Sequence, residues 1–392
     1  MKETSQFDYI LFFAIIALMA SGLVMVFSAS SVTSLSKNAD GLFYFKRQLA
    51  WVILGLAGMI IFSRINYRNW SSLAVPLLGL AIFLLILVLI PGVSKEIGGA
   101  KRWLRFKGFG FQPSELAKLA FIIYLSNSFH MREEHLMSFK KGMIPDLLVT
   151  GILFLLIYKE PNLSTAALIV GTYFTMYFLV GGSMKNLSLL TAAGGMTILF
   201  LIFQEPYRIR RIKAFFSPGD SPTGFGYHII QSLIAIGSGG LFGLGLGESR
   251  QKFFMLPERH TDFIFSIICE ELGLLGGAIV LALFLVLIWR GLYIAVRAPD
   301  TFGFCLAAGI TAVTGLQVIV NIGVVLSLLP TTGITLPFIS YGGSSVVFMA
   351  LGMGILLNIS KYGSEKNAFE MRKGESFSKQ FIEPVADNIR RR

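Results

Sequence analysis

Ten apolar runs, each long enough to cross a bilayer, recur along this chain and dominate what it can fold into. They are centred on Tyr9–Ser28, Leu49–Ser63, Leu73–Ile90, Pro113–Phe129, Met143–Tyr158, Leu163–Val180, Leu187–Phe203, Phe263–Trp289, Phe302–Leu328 and Tyr341–Ile359. A helix needs ~20 residues to span a hydrocarbon core, and tilt or packing absorbs modest departures from that length. In lipid every backbone N–H and C=O must be satisfied internally, so a spanning segment is a helix or part of a closed barrel. The runs do not alternate with period two, which excludes barrel strands. The expected fold is therefore an all-α polytopic membrane protein of about ten transmembrane helices. The first run is longer than the ~7–15 residues of a signal-peptide core; cleavage near Ser28-Ala29-Ser30 is the alternative reading.

Composition narrows the function classes. Of 392 residues only 14% are charged, against roughly 25% in a soluble domain, while 54% are hydrophobic and the mean hydropathy is +0.69. Disorder and a water-soluble enzyme are both excluded. Cys269 and Cys305 lie in apolar runs and imply no disulfide, and no Cys/His spacing suggests zinc. No internal repeat of the kind that marks many transporters is visible. Three polar segments remain: Pro91–Gln112, Gln204–Thr261 and a tail, Lys361–Arg392. None is long enough for a soluble catalytic domain, so residues 1–360 read as one polytopic unit, with a large loop at 204–261 and a basic tail at 361–392. Any chemistry has to come from loops and helix ends. An even number of spans puts both termini on one side. The net charge of +12 then conflicts with a simple topology. The loops facing away from the termini are the more basic ones once the tail is set aside, and the positive-inside rule would make them cytoplasmic.

Four constellations carry chemical potential. In Leu256-Pro-Glu-Arg-His-Thr-Asp-Phe-Ile-Phe265, Asp262 stands at the mouth of the longest apolar run. It reads either as a helix N-cap or as a carboxylate at a water–lipid boundary able to serve as general base or metal ligand. Glu270 and Glu271 follow in the same run, and Glu270 reads either as facing the Asp262 cavity one or two turns deeper or as an acid that snorkels or is paired structurally. Glu115 and Lys118 are spaced i,i+3 on one helix face, where pairing offsets the cost of intramembrane charge; they read as a structural ion pair or as the lining of a polar groove. Basic residues crowd the loops on the Asp262 side: Lys101, Arg102 and Arg105; Arg208, Arg210, Arg211 and Lys213; Arg250, Lys252 and Arg259. Arg grips phosphate bidentately and suits anionic head groups, whereas nucleic acid does not suit a multi-span chain without a basic soluble domain. The glycine-rich Gly237–Gly247 stretch lacks a P-loop ending and reads as a re-entrant or interfacial loop, preceded by an amphipathic Tyr227–Ile236. Between the last two runs, Pro330, Gly333, Pro337, Gly342 and Gly343 break the helix at membrane depth. Backbone of that kind is tolerated only when it is buried or lines a cavity; Ser340 and Ser344 offer hydroxyls there.

Together these residues resemble the FtsW/RodA/SpoVE (SEDS) family of cell-wall glycosyltransferases, over essentially Phe7 to Tyr362. The motifs are Gly99-Ala-Lys-Arg-Trp103, Phe111-Gln-Pro-Ser-Glu115 with Lys118, Tyr207-Arg208 with Arg211, Leu256–Phe265 with Glu270-Glu-Leu-Gly273, and Pro330–Ser345. Gly243–Phe253 is similar to the FtsW division branch, with the elongation and sporulation members as alternatives. The resemblance implies a ten-helix GT-C-like fold with cytoplasmic termini and a large extracytoplasmic loop between the seventh and eighth helices. It implies polymerisation of lipid II at the division septum of the bacterial plasma membrane, beside a class B penicillin-binding protein and other division proteins. It matches Asp262 to the family's essential acid and Glu115–Lys118 to its intramembrane ion pair. Lys101, Arg102, Arg208, Arg211, Arg259 and His260 are then candidates for pyrophosphate or substrate binding, with Mg²⁺ or Mn²⁺ as a candidate bridging ion and no organic cofactor. A lipid II flippase and a non-catalytic scaffold are the competing readings. Four positions depart from the family pattern: in Glu160-Pro-Asn-Leu-Ser-Thr165, Asn162 replaces an Asp and Ser164 a Gly, and further on Ser327 replaces a Gly and Thr335 a Pro.

Overall fold

The computed structural model describes residues 7–38, 40–97, 100–106, 109–220, 224–253 and 256–363. Gly99 of the first motif and the tail beyond Gly363 lie outside that set. Twelve helices follow one another: α1 (Tyr9–Asn38), α2 (Phe43–Phe62), α3 (Asn69–Leu89), α4 (Pro113–Met131), α5 (Ile144–Lys159), α6 (Leu163–Leu179), α7 (Met184–Phe203), α8 (Pro206–Phe216), α9 (Phe225–Ser238), α10 (Ile264–Arg297), α11 (Thr301–Val325) and α12 (Gly343–Ser360). Eight helical stretches among the described residues are long and apolar enough to cross a membrane, and α6 is a shorter apolar helix. Helix α4 has the length but carries Glu115 and Lys118, which is tolerable because nearly all of it is buried between neighbours. By contrast, α7 buries none of its residues and lies at the periphery.

The expectation of an all-α chain needs one correction. The Pro91–Gln112 segment folds into a three-stranded antiparallel sheet of β1 (Ser94–Ile97), β2 (Ala100–Phe106) and β3 (Phe109–Phe111). Trp103, Leu104 and Phe106 give β2 the aromatic and branched character that strands favour. The sheet rests on α3, α4 and α12. The Gln204–Thr261 loop is likewise more ordered than its polarity suggests. It contains α9, expected as an amphipathic element, and α8, whose arginines hid a regular helical period.

Small residues set the closest helix contacts, as in other membrane bundles. Helix α12 lies on α2, where a Cβ on Gly354 would come within 2.5 Å of the Met59 carbonyl oxygen. Helix α10 is not continuous. Gly273 has φ 70° and ψ −171°, a conformation open to glycine and little else. The Gly240–Gly245 loop is laced into this break: Leu244 N–H donates to Glu270 O and Leu274 N–H to Gly240 O. This corrects the expected place of Glu270, because α10 starts at Ile264 rather than at Asp262. The Glu270 carboxylate accepts from Ser249 Oγ (2.5 Å) and from the N–H groups of Arg250 (2.9 Å) and Gln251 (3.3 Å). Beside it Glu271 accepts from Ser28 Oγ and faces Lys252 Nζ at 3.6 Å. Glu271 ties the loop to α1, and the hydrogen bonds of the Glu270 carboxylate go to the Ser249–Gln251 loop and not to the Asp262 turn.

Candidate active site

Asp262 sits in the turn that leads into α10, not at the cap of the helix. The N-cap residue is Phe263, and it makes no side-chain capping bond, so the capping reading is replaced. Among the described residues the Asp262 carboxylate has no hydrogen-bond partner, and it is partly exposed. The main chain around it is tightly tied instead. Asn321 of α11 donates from Nδ2 to Asp262 O and to Ile334 O, both at 2.8 Å. Ser340 Oγ donates to Thr261 O (2.6 Å) and accepts from Leu336 N–H (2.8 Å), and Tyr341 N–H donates to His260 O (2.9 Å). The broken backbone of Ser327–Gly342 thus walls the carboxylate: a Cβ on Gly333, at φ 113°, would lie 3.7 Å from Asp262 Oδ2. Ser327 opens this segment at φ 56°, in the left-handed region that favours glycine, the residue that the family resemblance leads one to expect there.

The electrostatics around Asp262 are those of a poised base. Burial is the largest influence and raises its pKa; nearby Glu258 raises it further, while Arg211 and Arg102 pull it down, leaving it at about 7. A general base is most effective when its pKa lies near the working pH. Arg211 stands on α8, sandwiched between the rings of Tyr207 (4.9 Å) and Phe225 (4.8 Å). It donates to Thr331 O (3.1 Å) and Thr332 O (2.8 Å), which links the cation to the wall of the site. Arg102 reaches from β2 to the turn after α5, donating to Glu160 O (3.1 Å) and Pro161 O (2.5 Å).

The other candidates are placed differently. Arg208 is buried, stacks over Tyr158 and donates to Tyr158 Oη (3.1 Å) and Leu201 O (2.7 Å), so it braces α5 and α7. Arg259 spends its guanidinium on Ala29 O, Leu256 O and Thr33 Oγ1, tying the loop to α1. His260 stacks with Tyr44 and Tyr341 at 5.0 and 5.7 Å. Of Lys101 only the backbone, in β2, is among the described residues. Ser344 accepts from Gln112 N–H and donates to Gly110 O, both at 3.2 Å, which fastens the sheet to α12. Glu115 and Lys118 form their ion pair at 2.9 Å. The pair borders a cavity otherwise lined by Leu119, Ile122, Ile310, Val313, Phe348 and Met349, within the helical bundle. Asn162 accepts from Thr165 N–H at 3.3 Å and caps α6, a structural use for the residue that departs from the family pattern. Among the described residues no group of three or more His, Cys, Asp or Glu side chains is placed to hold a metal ion. Mg²⁺ or Mn²⁺ therefore finds no ligand set of that kind there, and no step is assigned to one.

An Asp at a helix mouth is walled by the irregular backbone between α11 and α12 and feels the charge of two arginines, and a Glu–Lys pair is buried elsewhere in the bundle. The sequence matches the family of FtsW, RodA and SpoVE, described as "Cell cycle protein", across residues 9–365. The chain belongs to the FtsW/RodA/SpoVE family. It is 44% identical to stage V sporulation protein E of Bacillus subtilis, covering 92% of this chain and 98% of that one. It is also 44% identical to the probable peptidoglycan glycosyltransferase FtsW of Geobacter metallireducens, covering 92% and 96%. Its fold is similar to that of Thermus thermophilus rod shape determining protein RodA, with TM-score 0.65, 29% identity and coverage of 91% and 97%. It is also similar to a chain in a peptidoglycan synthase complex that coordinates polymerization and crosslinking, with TM-score 0.75, 29% identity and coverage of 91% and 98%.

Within that family fold two functional residues stand out that sequence reasoning passed over. Asn321 is one of two amides, with Gln317, in an apolar run, and the one available signal was the cost of burying it. Glu160 is an acid at the end of an apolar run, and its burial beside Arg102 needed the structure. Asn321→Leu should leave the bundle folded but release Asp262 and Ile334 together. A misplacement of about 1 Å costs roughly a hundredfold in rate, so the turnover number in a purified polymerisation assay is expected to fall by that order, with thermal stability far less affected. Unchanged turnover would remove Asn321 from the site.

Proposed function

We propose that this protein is a membrane peptidoglycan glycosyltransferase that polymerises lipid II into glycan strands, with Asp262 as its base. The observation that carries this reading is the Asp262 carboxylate: unpartnered, poised near neutrality, and anchored through its own main chain to α11 and the α11–α12 loop. Asp262 takes the proton from the sugar 4-hydroxyl of one lipid II. The oxygen attacks the anomeric carbon of the growing chain, and the bond from that carbon to the lipid pyrophosphate breaks, its electron pair leaving with the phosphate. An α-linked pyrophosphate yielding a β-1,4 bond requires inversion, hence direct displacement without a covalent enzyme intermediate. Arg102 and Arg211 supply positive charge beside the carboxylate, where the leaving group would collect its own charge. The cavity at Glu115–Lys118 offers polar anchorage inside an otherwise apolar bundle.

Residues 1–360 form one polytopic catalytic unit of ten spans, with both termini and the tail at 361–392 in the cytoplasm and the Asp262 side facing outward. The excess of basic residues on that outer side is then the mark of a site for a pyrophosphate-linked lipid. A class B penicillin-binding protein fits as partner, given the likeness to a synthase complex, and work at the division septum fits the relatives named FtsW. Reconstitution of the purified protein with labelled lipid II tests the reading. Polymer formation supports it; scrambling of lipid II without polymer would identify a flippase, and neither activity would identify a scaffold.

A further inference from the structure

Behind Arg102 lies a second carboxyl that the reaction above does not use. Glu160 closes α5, just before the turn into α6. It is 0% exposed, and neither Oε1 nor Oε2 has a hydrogen-bond partner among the described residues. Burying an ionised carboxylate without donors is far costlier than burying the acid. Burial accordingly pushes Glu160 up to about 8, against the opposing pull of Arg102. Arg102 is held by main-chain oxygens at the end of α5, where the helix dipole is negative and favours a cation. Its charge also bears on Asp262. A neutral Glu160 leaves that charge uncompensated on the site side.

We propose that Glu160 is a positioning residue whose proton keeps Arg102 available to the anionic diphosphate of the substrate, and that its ionisation draws the guanidinium onto the carboxylate and off the ligand. This rests on the diphosphate reading of the site. Few other charged groups face Glu160. From β2 there is Arg102, and Tyr207 and Arg211 of α8 act through it. On α5 itself Lys159 is exposed, and Tyr158 lies under Arg208. Helix α6 opens with Asn162, Leu163, Ser164 and Thr165, none of which titrates, and the last turn of α3 is apolar. On α4, Glu115 and Lys118 neutralise each other.

The test is direct binding of inorganic pyrophosphate to the full-length protein in lipid nanodiscs, by calorimetry, for wild type and Glu160→Gln at matched pH. Matching the pH cancels the titration of the probe and of Asp262. Near neutral pH the two affinities should agree. One unit above a pKa of about 8 roughly one Glu160 in eleven keeps its proton, so the Gln variant should bind up to about tenfold more tightly there. In an Arg102→Gln background the difference should vanish. Parallel pH curves, weaker binding by Glu160→Gln at every pH, or a difference that survives Arg102→Gln would each overturn the proposal. If Glu160→Gln does not fold, infrared difference spectra of Asp262→Asn protein provide the second reading. A carboxylic-acid band should be lost as the pH rises through about 8, and saturating pyrophosphate should suppress that loss by linkage. A band indifferent to pyrophosphate would overturn the proposal as well. No measurement here involves turnover, so failure of wild type to polymerise lipid II would sink the proposed function without obscuring these outcomes.

Discussion

Asp262→Asn is expected to abolish glycan polymerisation, lowering the rate of purified protein on labelled lipid II by roughly a hundred- to ten-thousandfold. The exchange keeps the shape of the side chain, and the main-chain bonds from Asn321, Ser340 and Tyr341 that hold the 260–262 turn remain. Loss of rate can therefore be assigned to the lost base, provided the melting temperature is preserved. The wild type supplies a companion signature. A base must be ionised to act, and Asp262 is held at about 7 in the free protein, so kcat/KM should rise as pH increases through about 7 and flatten above it. Normal-length polymer from Asp262→Asn at near wild-type rate would remove the base from the mechanism. A pH profile already flat well below neutrality would show that the carboxylate is not held in the way its burial implies.

The second large effect concerns stability. Lys118 and Glu115 are 5% and 7% exposed and pair at 2.9 Å inside the bundle. Removing one member leaves the other charge buried and uncompensated, which costs about 3–5 kcal/mol. Lys118→Met alone should therefore unfold at markedly lower denaturant or temperature in detergent. Replacing both partners, Glu115→Leu with Lys118→Met, removes the uncompensated charge and should recover much of the loss. The comparison separates architecture from function. If the double variant is stable but inactive, the pair serves the substrate cavity it borders as well as the fold. If Lys118→Met is as stable as wild type, the pair contributes nothing of either kind.

The helical frame was legible because hydropathy in lipid is a strong, additive signal: a run of apolar residues has few alternatives to a helix. Even α4 could be found by its run, despite two charges. What escaped were features set by contacts between distant segments. The sheet at Ser94–Phe111 arises from strand pairing, which the charges of that loop masked. Helix α8 was read as a basic patch because its cations attract notice before its period does, and the protein atoms that Arg208 and Arg259 bind could not be read from the sequence. Glu270 was misplaced by extending a helical period back to Asp262, whereas the helix starts two residues later and the acids are claimed by the Ser249–Lys252 loop. Asp262 itself was found because a carboxylate at the mouth of an apolar helix is expensive and conspicuous. Asn321, which ties down its main chain, and Glu160, which lies beside Arg102, become visible only when α11 and α5 are folded.

The lacing of the Asp262 turn to the segment between α11 and α12 also has a temporal side. A membrane chain is threaded into the bilayer from its N-terminus onward, so Asp262 is synthesised well before the residues that fix it. Tyr341 and Ser340, which hold the turn at His260 and Thr261, arrive only with the last helix, and that helix must then pack back against α2, made near the start. Until α12 is inserted, Asn321 of α11 can hold the Asp262 main chain, but the segment that supplies the last two ties of the turn is not yet packed. A nascent or truncated chain ending before Gly343 should for that reason be catalytically silent, so that enzymatic competence becomes a checkpoint on complete insertion.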